Sequence, residues 1–147
     1  DLQVVSSSVH GPGVSQGPAS FTFHLANLQE PLYPFHQIRA VHAGLYMNGT
    51  LQSSYVLRDW NEFLEEHPET HGSSEHEQVY WERELQREIR HGHGLSPAAT
   101  VWVLHLEDVQ TNRDPDPVAV LQVVHEDLTT RSYRLHLQHG YLEPMDH

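Results

Sequence analysis

The sequence predicts an α+β fold, a mostly antiparallel sheet with two helices on one face. Three observations carry that expectation. An Asn48-Gly49 pair sits between two alternating stretches, as in a two-residue hairpin. Two capping boxes, Asp59 with Glu62 and Ser74 with Glu77, each precede apolar residues at helical spacing. Three more strand-like stretches follow the second helix.

Taken in order, residues 1–19 read as an extended N-terminal arm and residues 20–147 as a single α+β domain. Gly11, Pro12, Gly13, Gly17 and Pro18 exclude a helix in the arm. Leu2, Val4 and Val5 suit a short edge strand that can add to a sheet, in this chain or another. Residues 20–25 form the N-terminal strand of the domain, with Phe21, Phe23 and Leu25 on one side. The hairpin spans residues 38–57. Its turn pairs Met47 with Thr50, which sets Tyr46 opposite Leu51 and His42 opposite Tyr55.

The helices are expected at about 59–66 and 74–91. The first buries Trp60, Phe63 and Leu64 and stops before Pro68. The second carries Trp81, Leu85 and Ile89 as a narrow stripe, with Gly92 or Gly94 as its left-handed cap. Residues 100–139 are expected to form a C-terminal meander. Residues 118–125, apolar on both faces, take its centre, and Tyr133, Leu135 and Leu137 point inward from its last strand.

Three short stretches resemble known families. Residues 9–23, Val-His-Gly-Pro-Gly-Val-Ser-Gln-Gly-Pro-Ala-Ser-Phe-Thr-Phe, resemble the opening of a filamin-type immunoglobulin repeat, but the sandwich pattern does not continue beyond them. Residues 118–144 are faintly similar to the C-terminal strands of the small structural subunit of tRNA-splicing endonuclease. Arg39, Ser53-Ser54 and Glu75-x-Glu77 resemble in order the Arg, Ser-x-Ser and Glu-x-Glu motifs of ADP-ribosylating toxins, although the middle motif here is Ser-Ser-Tyr. None of the three covers enough of the chain to carry a family over.

Composition narrows the chemistry. The chain has 147 residues and no cysteine, which excludes disulfides, thiolate metal sites and a Cys nucleophile within it. All eight basic residues are Arg, so there is neither a Schiff-base nor a P-loop lysine. A formal charge of −12 works against binding a phosphate backbone, and no apolar run reaches the roughly 20 residues of a membrane span. No nucleic acid and no membrane insertion are therefore the expectation. The chain starts at Asp1, which favours a secreted or processed chain.

Fourteen histidines are the compositional anomaly. His91 and His93 form a His-Gly-His step that suits Zn or Cu if a third ligand joins them. His76 and His91 would lie roughly 22 Å apart along the helix, too far to share an ion. His105, Glu107, His125 and Glu126, expected on adjacent strands, offer an acid–base pairing. Asn48-Gly49-Thr50 is a glycosylation sequon, although the turn alone accounts for Asn-Gly. No nucleophile elbow is present.

The reading these features favour is a non-catalytic binding or structural module. It associates with itself or a protein partner through sheet edges and its N-terminal arm, with Leu2, Val4, Val5, Tyr33, Phe35 and Tyr141 as the contact residues. No cofactor is required. The alternative is a histidine-dependent metal-binding protein or small enzyme.

Overall fold

Alternating apolar residues produce two antiparallel sheets rather than one. The computed structural model describes residues 2–11, 17–27, 37–66, 74–95 and 99–145. Its elements are β1 (Leu2–His10), β2 (Ala19–Asn27), β3 (Ile38–Met47), β4 (Thr50–Val56), β5 (Arg58–Asp59), α1 (Trp60–Glu66), α2 (Ser74–His93), β6 (Val101–Val109), β7 (Val118–His125), β8 (Thr130–His136) and β9 (Tyr141–Pro144). Sheet A runs β1-β2-β6-β5, and sheet B runs β4-β3-β7-β8-β9.

The inner faces of both sheets share one core. Phe21, Phe23 and Leu25 of β2 and Leu104 and Leu106 of β6 meet Val41, Leu121, Val123 and Leu135 of sheet B and Leu137 just after β8. Each such side chain contributes about 1.5–3 kcal/mol on burial, so this layer dominates stability. A smaller core lies on the outer face of sheet A. There Ala26 and Val101 pack against Trp60 and Leu64 of α1 and Ile89 of α2. The helices thus cover one face of one sheet.

The expected meander over residues 100–139 is corrected. β6 pairs with β2 and β5 in sheet A, while β7 and β8 pair in sheet B and continue to β9. Sequential strands neighbour one another in most folds, but here residues 110–117 cross between sheets. β6 needs apolar cover on both faces, which the middle of sheet A supplies.

The hairpin turn forms as expected, with Asn48 and Gly49 both at positive φ (52° and 78°). Met47 pairs with Thr50 and Tyr46 with Leu51. A bulge then absorbs Gln52, so Tyr55 faces Ala43 and His42 faces Val56, one position from the expected register.

α1 begins with Asp59 as its cap, whose Oδ1 accepts the Asn61 N–H at 2.7 Å. α2 runs two residues past the expected end and closes on Gly94. Leu95 N–H donates to Arg90 O at 2.9 Å and Gly94 N–H to His91 O at 3.3 Å, with Gly94 at φ +62°, a Schellman cap. The expected apolar stripe turns away at its start, because residues four apart drift about 40° per step around a helix. Ile89 is buried, but Trp81 is 68% exposed. Glu82 takes the inward place instead.

Candidate functional site

The N-terminal segment lies along this chain's own sheet. β1 pairs with β2 from Leu2↔Asn27 to His10↔Ser20, with a bulge at Val5. Leu2 is only 4% exposed and its N–H donates to the Tyr133 hydroxyl at 3.3 Å, a tie between the two sheets. Val4 packs on the inner core and Val5 on the helix-side core. Tyr141, on β9, is 57% exposed. Tyr33 and Phe35 lie outside the described residues.

His91 and His93 sit on the last turn of α2, where residues two apart point roughly 200° away from each other. The helix, longer than expected, therefore separates the two imidazoles. Among the described residues no three His, Asp or Glu side chains gather as a metal group would require. His105 and His125 lie in different sheets, which corrects the expected adjacent-strand pairing. Asn48 is exposed at the hairpin tip, where its N–H donates to Asp114 Oδ2 at 2.8 Å and its Nδ2 to Arg113 O at 3.2 Å.

Among the described residues the two sheets end in four edges, which differ in their protection. β5 is two residues long, Arg58 and Asp59, both charged. β9 carries Glu143 and Pro144. β1 and β4 are longer, nine and seven residues, and contain no Asp, Glu, Arg or Pro. Charge, proline and shortness are the usual devices that keep sheet edges from pairing with other chains. Among the described residues, β1 and β4 have only their single bulges.

A cavity of about 610 Å³ opens on the outer face of sheet A, beside the helix-side core. Ser8, Thr22, His24 and His105 form its polar floor, and Phe63, Leu85 and Val103 its apolar side. Arg58 and Glu82 supply one charge of each sign. His24 is 3% exposed and lies on the Trp60 ring, centroids 4.2 Å apart. Its Nε2 stands 3.8 Å from Glu82 Oε2, which accepts the Trp60 indole N–H at 3.1 Å. Neither ring nitrogen of His24 has a hydrogen-bond partner among the described residues.

At the open end, Thr22 Oγ1 lies 2.8 Å from His105 Nδ1, and His105 Nε2 lies 3.1 Å from Glu107 Oε1. Thr22 and His105 are cross-strand partners and Glu107 is two residues along β6, so strand register alone brings the three together. The row fixes the His105 ring as part of the wall.

Sequence reasoning passed over His24 and Glu82. One signal was present: alternation that sends Phe23 and Leu25 inward sends His24 and Ala26 to the other face. A residue as small as Ala26 on that face fits a sheet covered by a helix. No family model matches this chain, and no match is found for it among curated proteins or solved structures.

Proposed function

We propose that this chain is a binding module that associates through the β1 and β4 edges, with a second copy of itself or with an extended segment of another protein. One observation carries the reading. The two longest edges contain none of the charged residues of a strongly acidic chain, whereas both short edges do. A sheet edge offers a row of backbone donors and acceptors, and pairing with an incoming strand satisfies them. Uncharged edges also let two acidic chains meet where their mutual repulsion is least. The N-terminal arm of the sequence reading enters here as the β1 edge, and Leu2 acts by anchoring that edge to the core.

Self-association is the arm tested first. Light scattering over a dilution series is expected to show a mass above the 16.9 kDa of one chain, falling on dilution. Val9→Lys with Ser54→Lys places one charge on each edge at exposed positions. This pair should return the mass to one chain while changing stability by no more than about 1 kcal/mol. A mass of one chain throughout, or an assembly that survives both substitutions, overturns the self-association reading.

A further inference from the structure

The hydrogen-bonded row at the open end of the sheet A cavity has a direction. His105 Nε2 lies 3.1 Å from Glu107 Oε1, and a carboxylate can only accept. The ring proton is therefore on Nε2, and Nδ1 is left as an acceptor. Thr22 Oγ1 lies 2.8 Å from Nδ1 and is the donor of that bond. Strand register explains why the three residues are neighbours, but not this order of donors. It is the order of a nucleophilic triad: a hydroxyl on a base, and the base held in one tautomer by a carboxylate. Thr22 and His105 both line the cavity, so the hydroxyl has a chamber beside it.

We propose that Thr22 is a nucleophile for acyl transfer and that the cavity takes esters of short apolar acids. Phe63, Leu85 and Val103 of the lining receive the acyl chain. The volume of about 610 Å³ lies within the roughly 300–1,000 Å³ typical of small-molecule sites. In the first step Thr22 Oγ1 bonds to the acyl carbon as its proton passes to His105 Nδ1. The leaving alcohol takes that proton, and Thr22 keeps the acyl group as an ester. Water then gives a proton to Nδ1 and its oxygen to the acyl carbon. The acid departs and the proton returns to Thr22. Glu107 is a positioning residue, which orients the imidazole and offsets the positive charge it gains. Ser8, the cross-strand partner of Thr22 on β1, lines the same cavity and offers a hydroxyl to the carbonyl oxygen. Pairing with β1 and β6 engages the backbone N–H groups of β2. A single hydroxyl stabilises an oxyanion less than paired donors do, which suits an ester rather than an amide.

The test uses a fluorophosphonate and p-nitrophenyl butyrate on the full chain. The fluorophosphonate is expected to bond to Thr22 Oγ1 with loss of fluoride, and mass spectrometry locates the modified residue. Thr22→Val keeps a β-branched residue in the strand and removes the hydroxyl, so it should fold and take no label there. Imidazole itself attacks p-nitrophenyl esters, and the chain has fourteen histidines, so Thr22→Val sets the baseline for hydrolysis. The unaltered chain should exceed that baseline by at least about tenfold, against the hundredfold and more that a well-placed general base supplies. His105→Gln should fall to the baseline. Glu107→Gln should lower kcat and leave KM unchanged, whereas Leu85→Trp, which fills the apolar wall, should raise KM. The proposal is overturned by the absence of label on Thr22, by hydrolysis undiminished in Thr22→Val or His105→Gln, or by an unchanged kcat in Glu107→Gln.

Discussion

The outer faces of the two sheets began as equivalent surfaces and ended differently. On sheet A, α1 and α2 lie over the strands, and His24 is shut in with no hydrogen bond among the described residues. On sheet B no helix covers the strands among the described residues, and His136 on that face has two acidic neighbours. Its Nε2 lies 3.0 Å from Glu143 Oε1 and its Nδ1 3.6 Å from Asp116 Oδ2. Strand alternation placed both histidines in the same way. The cover decides their surroundings: His136 finds two carboxylates at the surface, while His24 has the Trp60 ring and one carboxylate at 3.8 Å.

The largest effect should come from removing the cover. Trp60 is fully buried, packs against the His24 ring and donates to Glu82, so it joins α1, α2 and sheet A at one point. Arg83 and Gln86 of α2 add bonds to Leu64 O and Asn61 Oδ1 of α1. Trp60→Ala should cost about 3–5 kcal/mol in urea unfolding. Hydrogen exchange should accelerate first in residues 60–66 and 81–93 while β7 and β8 stay protected. Tyr46→Ala, at a half-buried place on the bare face of sheet B, should cost much less, on the order of 1 kcal/mol. Equal losses at the two sites would remove the distinction between the faces.

A middle-sized effect is expected from two residues that share one backbone conformation. Gly94 (φ +62°) closes the helical cover of sheet A, and Leu128 (φ +68°) closes the β7–β8 turn of sheet B. The left-handed region costs a side-chain-bearing residue roughly 1–2 kcal/mol. Gly94→Ala should therefore destabilise by about 1 kcal/mol, with open space around it and no clash to add. Leu128→Gly should stabilise by a similar amount, because Leu128 is 66% exposed and little packing is lost. Denaturant midpoints read both, and the same sign for the two would refute the backbone account.

Much of this architecture was legible because local signals matched local structure. Asn48-Gly49, the Asp59 cap and the glycine after α2 all appear where their chemistry put them. What was not legible depended on distant partners. Nothing near residues 110–117 reveals that they cross between sheets, since β6 and β7 have similar apolar patterns. The Gln52 bulge was hidden for the same reason, because register beyond a tight turn answers to the packing of both faces. β1 looked unpartnered because its partner β2 is joined to it by a Gly/Pro-rich stretch rather than a tight turn. The candidate site suffered most: His24 looked like one of fourteen histidines, and Trp60 and Glu82 lie far from it in sequence.

The smallest effect concerns the bare face alone. Glu143 is held below the ordinary carboxylate value, first by its hydrogen bond with His136 and then by that from Arg134, whose Nη1 donates at 3.2 Å. A carboxyl group with a lowered value in the folded state binds protons less readily there than in the unfolded chain. Its contribution to stability is therefore complete above the unfolded value near 4.5 and is lost as pH falls through the lower folded value. Because Glu143 is open to solvent, the loss should be slight and should shrink further in salt. Carbon-13 NMR of the Glu143 carboxyl should show a midpoint below 4.5 that moves upward in His136→Gln and, less, in Arg134→Gln. A midpoint indifferent to both substitutions would mean that the exposed pairings on sheet B hold nothing in place, and that the contrast with the enclosed His24 rests on the covered face alone.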